Sequence, residues 1–338
     1  SDLAVEGGFD VDFSVLAGTA GLSDYTLNNL TNTLHFNGTV GETQTISFDI
    51  ANDNRVEDDE TFTVTLGTVS NTSPVQVGAI TSGAVGTGTI TNDDTSTLTI
   101  NDVTVTEGTG GSTTLTFTVT SSHVVDGGFT VSFSNQDGVA TSADYTVTTS
   151  SPLTFTGAEG EGEIRTISVD IVTDNIIEDD APIGDFTITL GAIGGTSAVQ
   201  AAAITTGATG IGTILNDDIQ TLTISSPTIT EGTGGTTTLT FTVTSPLAVE
   251  GGFDVAFSDL IGTAGLTDYT VITSSPLHFT GTVGETQTIE VEINTDDRVE
   301  ATESFTITLG AVSNTSAVQV GAITSGATGT GTITDDDA

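Results

Sequence analysis

The sequence predicts an all-β protein in which one antiparallel β-sandwich recurs in tandem. Three observations support this prediction: apolar residues alternate with threonines along short segments, glycine-rich turns separate those segments, and the same landmarks return at a fixed spacing. Gly-Gly-Phe occurs at residues 7–9, 127–129 and 251–253, so the repeat is 120 to 124 residues long. That length is the size of one β-sandwich domain.

The predicted strands are recognised by a period of two. In the second repeat, apolar residues alternate with polar ones over residues 115–119, 129–133, 167–171 and 186–190. Strict alternation indicates antiparallel strands that bury one face and expose a threonine-rich one. About seven such strands per repeat predict an immunoglobulin-like sandwich, and the tandem copies predict a rod-like array.

Acidic segments at residues 92–94 and 216–218 divide the chain into predicted domains at 1–94, 95–218 and 219–338. The motif Thr-Glu-Gly-Thr-Gly-Gly occurs only twice, since its first copy would fall before residue 1. We therefore expect the first repeat to lack roughly its first two strands. The chain opens at Ser1 without a signal peptide, which we interpret as a mature product or a fragment.

The charge balance limits the possible partners. The chain carries a formal net charge of −42, with 45 acidic residues against three arginines and no lysine. Nucleic acids and anionic membrane surfaces are therefore poor partners, whereas metal cations are good ones. No apolar run approaches the ~20 residues that span a bilayer, so no membrane insertion is expected. The absence of cysteine excludes disulfides, thiolate zinc sites and a cysteine nucleophile.

One acidic pattern recurs in every repeat, at residues 53–60, 174–180 and 296–303. Further acidic segments follow at residues 92–94, 216–218 and 335–337. Carboxylates about 4 Å apart repel by roughly 4 kcal/mol at an effective dielectric constant near 20, so such clusters favour a bound cation. Ca²⁺ accepts about 6–8 oxygen ligands in flexible geometry, and its binding free energy becomes folding free energy.

Four motifs together resemble a known family. Thr-Glu-Gly ends an opening strand, Asp-Tyr follows in mid-domain, an acidic loop leads into a phenylalanine strand, and the last strand ends in Gly-Thr-Ile before the acidic segment. The chain resembles the Calx-beta domain, known from the regulatory region of sodium–calcium exchangers and from large bacterial surface proteins. The resemblance covers the whole chain as two full copies and one truncated copy.

The resemblance implies calcium ligands in loops at one end of each sandwich. In the first repeat these are Asp24, Asp53, Glu57, Glu60, Asp93 and Asp94. In the second repeat they are Glu107, Asp144, Asp174, Glu178, Asp217 and Asp218. In the third repeat they are Glu231, Asp268, Asp296, Asp297, Glu300, Glu303, Asp336 and Asp337.

The three implied sites are unequal. Asn54 and Asn175 each replace an aspartate of the third repeat, and an insertion at residues 181–184 moves the last acid of the second repeat to Asp185. The first repeat has no Thr-Glu-Gly glutamate. We expect calcium binding to be strongest in the third repeat and weakest in the first. Asp58, Asp59, Asp179 and Asp180 are interpreted as surface charges.

These patterns predict a calcium-binding structural or adhesive array that serves as a stalk, matrix or filament component, secreted or on the surface of a bacterial cell. Calcium is expected to rigidify it at the domain ends and at the junctions, where Asp93–Asp94 and Asp217–Asp218 shortly precede the next domain. Its partners would be calcium ions and neighbouring repeats or copies of the same protein. Four alternatives stay open: a calcium-sensing regulatory module, a filament subunit that completes its first repeat with a strand from another chain, an enzyme or sugar-binding domain, and acidic adaptation to salt. Catalysis is disfavoured because no histidine–aspartate set accompanies any serine, and a sugar platform because the chain has no tryptophan.

Overall fold

The computed structural model describes residues 3–158, 162–179 and 185–338. The predicted all-β class is confirmed, with only three short helices among these residues. Asp180, the insertion at residues 181–184 and the first two residues lie outside the described part, so the interpretations placed on them stay predictions.

The strands and helices follow the three repeats. Residues 3–94 contain β1 Phe9–Ala17, β2 Tyr25–Leu27, β3 Thr33–Phe36, β4 Phe48–Ile50, β5 Glu60–Ser70, α1 Pro74–Val77 and β6 Val85–Ile90. Residues 95–218 contain β7 Ser96–Ile100, β8 Val103–Thr106, β9 Thr113–Ser121, β10 Phe129–Asp137, β11 Tyr145–Val147, β12 Leu153–Phe155, β13 Ile164–Ile171, β14 Ile176–Ile177, β15 Phe186–Gly194, α2 Ala198–Ala203, β16 Ile204–Thr205 and β17 Thr209–Leu215. Residues 219–338 contain β18 Gln220–Thr221, β19 Thr223–Ile224, β20 Thr228–Thr230, β21 Thr236–Ser245, β22 Ala248–Val249, β23 Phe253–Ile261, β24 Tyr269–Val271, β25 Leu277–Phe279, β26 Glu285–Asn294, β27 Glu303–Ser313, α3 Ala317–Ala322, β28 Ile323–Thr324 and β29 Thr328–Thr334.

Two sheets form each complete sandwich. In the second repeat their strand orders are β12-β10-β15-β17-β8 and β11-β13-β9-β7-β16, and in the third β20-β29-β27-β23-β25 and β19-β21-β26-β24. The long neighbouring strands pair antiparallel, whereas β8 and β20 join β17 and β29 in parallel. Of the ten strands in the two sheets of the second repeat, seven have four residues or more, which agrees with the predicted number.

The period of two places alternate side chains in the core. On β9, Leu115, Phe117 and Val119 are at most 1% exposed, while the threonines between them face outward or are half-buried. Each core also contains an aromatic stack: Tyr145 lies on Phe186 with ring centroids 4.0 Å apart. The alternation of apolar and polar residues therefore predicts both the strands and the side chains that pack between the two sheets.

The first repeat has a much smaller core. Its four-stranded sheet, β3-β1-β5-β6, faces only the two-stranded sheet β2-β4. Among the described residues no strand precedes β1, whereas β7, β8 and β9 precede the equivalent β10. Leu66 is consequently half-buried, while its counterparts Leu190 and Leu309 are 1% exposed.

An apolar residue of each inner acidic loop is buried in the following repeat. Val56 belongs to the core of the second repeat and Ile177 to that of the third, and both are 0% exposed. We call these and the equivalent Val299 the junction residues. The backbone N–H of Val56 donates to the Val124 carbonyl at 2.9 Å, and β14 pairs in parallel with β22. The inner acidic loops are therefore held between neighbouring sandwiches, whereas the sequence pattern placed only the terminal Asp pairs at the junctions.

Candidate metal centres

The four acidic motifs of the second repeat meet at one end of its sandwich. Glu107 follows β8, Asp144 precedes β11, and Asp174 and Glu178 lie in the loop between β13 and β15. All four line one recess, which also contains Asn216 beyond the end of β17. Residues far apart in sequence thus form a single acidic site.

The first repeat forms the equivalent recess from fewer motifs. All six residues predicted there line it: Asp24, Asp53, Glu57, Glu60, Asp93 and Asp94. Burial first, and then the neighbouring Asp24 carboxylate, raise the pKa of Glu60 to about 7. Crowded carboxylates of this kind favour either protonation or a bound cation.

The third repeat contains the tightest group. Carboxylate oxygens of Glu231, Asp335 and Asp337 lie within 4.8 Å of one another. Asp335 was not predicted as a ligand, because the equivalent positions in the other repeats are Asn92 and Asn216. A comparison of the terminal segments could have indicated it, since only the third repeat carries three aspartates in a row.

Backbone hydrogen bonds shape the acidic loops in the same way three times. The first aspartate of each loop accepts from the N–H two residues further on, and the residue at position 92, 216 or 335 accepts from the N–H of the loop glutamate. The first set comprises Asp53, Asp174 and Asp296 at 2.8–2.9 Å, and the second comprises Asn92, Asn216 and Asp335 at 2.9–3.2 Å. The terminal segment therefore fixes the position of the acidic loop.

Some predicted ligands also have a structural task. Asp217 and Asp336 accept from the N–H groups of Gly108 and Gly232, at 3.0 and 2.9 Å, and so tie the Thr-Glu-Gly loop to the terminal segment. Asp144 accepts from the Thr141 N–H at 2.7 Å. Asp268 does the same with Gly265 at 2.6 Å. Their role as metal ligands stays a prediction, as it does for Asp297.

Asp185 lies in the recess of the second repeat but not in the place of a loop glutamate. It precedes Phe186 directly, whereas Glu60 and Glu303 stand two residues before their phenylalanines. Its side chain is 3% exposed and accepts a hydrogen bond from the Ile214 N–H. Asp185 is thus a buried acid with a backbone donor already in place.

Several carboxylate oxygens are buried without a hydrogen-bond donor among the described residues: Glu107 Oε1, Asp218 Oδ2, Glu231 Oε1 and Asp337 Oδ2. The first three residues are 2–7% exposed. A buried charge without a partner costs several kcal/mol, and such groups in proteins are paired or coordinate metals. Unpaired carboxylate oxygens are also the ligands that Ca²⁺ prefers, so the residues present fit this ion.

Burial and mutual repulsion change the acidity of these groups. Burial first, and then the charges of Glu178 and Asp174, raise the pKa of Glu107 to about 8. Burial and neighbouring carboxylates likewise raise the pKa to about 7 for Glu60, Glu178 and Glu231. The pKa values of Glu57, Asp94, Asp218, Glu303 and Asp337 are raised for the same reasons. Each recess is therefore arranged for a positive ion rather than for several free carboxylates.

The following repeat contributes an acid to each inner recess, which sequence reasoning missed. Asp126 lines the recess of the first repeat, and Glu250 lines that of the second. Their charges help to raise the pKa values of Glu57 and Glu178. The available signal was an acid directly before every Gly-Gly-Phe, at Glu6, Asp126 and Glu250.

The chain is similar to solved structures of one-domain and two-domain proteins. No curated protein matches the chain. Among solved structures, the CBD12 tandem of CALX1.2 is 15% identical, covers 71% of this chain and 100% of its own, and has a TM-score of 0.29. The calcium binding domain CBD12 of CALX1.1 is 16% identical over 70% of this chain and 99% of its own, with a TM-score of 0.29. The apo form of Calx CBD1 is 21% identical over 35% of this chain and 97% of its own, with a TM-score of 0.27.

None of the helices in the described ranges has the length and apolar character needed to cross a membrane.

The model of the Calx-beta domain matches three times, at residues 5–94, 89–210 and 216–337. These matches include nearly the whole chain, with both acidic recesses and the carboxylate group of the third repeat. The protein therefore belongs to the Calx-beta family, as a tandem array of its domains.

Proposed function

We propose that this chain is a calcium-binding structural array of the extracellular space or the bacterial cell surface, in which ions at the domain ends stiffen a row of sandwiches. The observation that carries the proposal is the set of buried carboxylate oxygens without donors, such as Glu107 Oε1 and Glu231 Oε1. A divalent cation would supply their missing partner. Calcium is the ion that the family resemblance implies, and it tolerates the irregular geometry of these loops.

Stiffening follows from the position of the recesses between repeats. Asp126 shares a recess with Glu57, and Glu250 shares one with Glu178, so acids of two domains would surround one ion. An ion held from both sides restrains the angle between the domains. This arrangement suits a stalk, matrix or filament component. Most charged residues that line the two recesses are carboxylates, which favours the binding of a cation.

Calorimetry of the full chain tests this proposal. The unfolding temperature is measured in metal-free buffer, with added calcium, and with added magnesium. We expect calcium to raise the unfolding temperature in a concentration-dependent way, by the equivalent of about 2.7 kcal/mol per site at a hundred times Kd. Magnesium should do less, because it demands near-ideal octahedral geometry and keeps its waters. An unfolding temperature that calcium leaves unchanged would end the calcium proposal.

Small-angle scattering on the same samples tests the stiffening separately. With calcium, the whole chain should sample a narrower range of maximum dimensions, while the dimensions of each domain stay the same. If calcium stabilises the chain but leaves that distribution unchanged, the ions serve the individual domains and the junction role is wrong.

A further inference from the structure

We infer that Arg55 serves as a built-in cation at the junction between the first and second repeats, so that this junction depends less on calcium than the junction between the second and third. The inference rests on the function proposed above and concerns how that function is regulated. One junction keeps its geometry without metal, because a fixed positive charge holds it. The other is the junction that calcium controls.

The two junctions share the same backbone frame. At the first, Gln200 Nε2 donates to the carbonyl of the junction residue Val56 at 3.5 Å and to that of Asp126 at 2.9 Å. At the second, Gln319 Nε2 makes the equivalent two bonds at 3.2 and 2.8 Å. Both glutamines are buried and both close a capping box at the start of a short helix. This shared frame supplies neither junction with a positive charge.

The residue directly before the junction residue differs between the two loops. It is Arg55 in the first repeat and Ile176 in the second. Arg55 Nη1 lies 3.5 Å from Oδ1 of Asp126, which belongs to the second repeat. Its Nε lies 3.9 Å from Oε1 of Glu57 in its own repeat, and the side chain lines the first recess. One guanidinium group therefore faces acids of both domains, as the proposed calcium ion would.

The second junction brings the same kinds of acid together without such a group. Glu178 of the second repeat and Glu250 of the third line one recess. The described residues that line this recess include no arginine or lysine. Arg165, the one arginine of the second repeat, pairs with the buried Glu163 instead. Calcium is therefore the cation left to offset the repulsion between Glu178 and Glu250.

The position of Arg55 has two physical consequences. Its charge offsets the repulsion between Glu57 and Asp126, so the acidic loop and the turn of the next repeat stay together without metal. Its charge also repels an ion bound in the same recess, so calcium gains less there. The side chain is 35% exposed, and water weakens each of its ion pairs taken alone. The effect depends on one charge that faces both domains.

Distances between spin labels on either side of each junction test the inference. The chain has no cysteine, so introduced cysteines would carry the only labels. Ser14, Ser134 and Ser258 are exposed and occupy equivalent positions on β1, β10 and β23. Labels at the first two report on the first junction, and labels at the last two on the second. In metal-free buffer we expect the narrower distance distribution across the first junction, and calcium should narrow mainly the second.

Exchanging the two residues tests the role of the charge. Arg55→Ile should broaden the metal-free distribution across the first junction, and calcium should then narrow it; Arg55→Lys keeps the charge and should retain the original behaviour. Ile176→Arg should narrow the metal-free distribution across the second junction. It should also raise the calcium concentration at half effect by up to about tenfold, because a positive charge stands close to the ion. Ile176→Gln is the matched control without a charge and should leave the second junction broad.

Three results would overturn the inference: an equal response of the two original junctions to calcium, an unchanged metal-free distribution in Arg55→Ile, or the same effect from Ile176→Gln as from Ile176→Arg. Calorimetric titration of the same samples with calcium keeps this outcome apart from the proposed function. Calcium that binds without a difference between the junctions contradicts only the role of Arg55. A chain that binds no calcium contradicts the proposed function as well.

Discussion

Glu107 shows how one residue can favour both calcium binding and a less stable metal-free domain. It is 2% exposed, one carboxylate oxygen has no donor among the described residues, and its pKa is raised to about 8. At neutral pH Glu107 is therefore mostly protonated in the folded, metal-free domain, whereas it is ionised in the unfolded chain. Folding without metal thus includes the cost of protonating this group. On the function proposed above, the same carboxylate would become a ligand when an ion is bound, which would offset this cost.

The substitution Glu107→Gln should consequently have opposite effects with and without calcium. In metal-free buffer at pH 7 the amide avoids the cost of protonation, so the free energy of unfolding should rise by up to about 3 kcal/mol. With calcium, one charged ligand is lost, so the affinity and the thermal stabilisation should both fall. Denaturant unfolding and calorimetric titration measure the two effects.

Glu290→Gln is the matched control for this substitution, because Glu290 is exposed on β26 and lies outside the recesses. It should change neither the stability nor the calcium affinity. If Glu107→Gln binds calcium as tightly as the original chain, Glu107 is not a ligand, whatever its effect on the metal-free domain.

Glycines in the last long strand of a repeat allow that strand to pack closely against an aromatic ring of the core. On β17 a Cβ atom at Gly212 would lie 2.4 Å from Cζ of Phe186, so the strand passes directly over that ring. Phe186 in turn stacks on Tyr145, the residue after Asp144. The glycine thus allows close packing beneath one of the loops that form the recess.

Gly212→Ala should destabilise the second repeat by about 1–3 kcal/mol, the usual cost of an added methyl group in a filled core. Gly86→Ala on β6 is the control, because no atom lies within 4 Å of its added Cβ. Thermal unfolding should show a lower transition for the first variant only. Equal stability of the two variants would contradict the close packing of this strand on Phe186.

The strands and the acidic loops could be predicted from sequence, because both depend on local patterns that recur. Leu115, Phe117 and Val119 alternate with threonines, and Asp53, Asp174 and Asp296 return at the same offset in each repeat. Contacts between domains have a weaker signal. Val56 and Ile177 read as ordinary loop residues, since only packing against the next sandwich buries them. Asp126 and Glu250 read as ordinary turn residues, although an acid precedes every Gly-Gly-Phe. The place of Asp335 in the carboxylate group of the third repeat was hidden for another reason: asparagine occupies its position in two of the three repeats.

At the scale of the whole molecule, the raised pKa values give the metal-free chain an unusual pH dependence. The pKa of Glu107 is raised to about 8, and those of Glu60, Glu178 and Glu231 to about 7. Between the ordinary glutamate pKa and these values, the folded chain binds more protons than the unfolded chain. Its free energy of unfolding must therefore fall as pH rises through this window.

We expect metal-free stability to be highest near pH 5 and to fall by about 3 kcal/mol or more by pH 8, on the basis of the shift of Glu107 alone. Calcium should remove most of this fall, because it binds the ionised carboxylates and its affinity rises as they lose their protons. Denaturant unfolding at several pH values measures the free energy of unfolding against pH. One curve is measured in buffer freed of metal by a chelating resin and the other in excess calcium. Parallel curves in the two buffers would show that the ionisation of these recesses is not linked to calcium, and the assignment of the carboxylates as ligands would then fail.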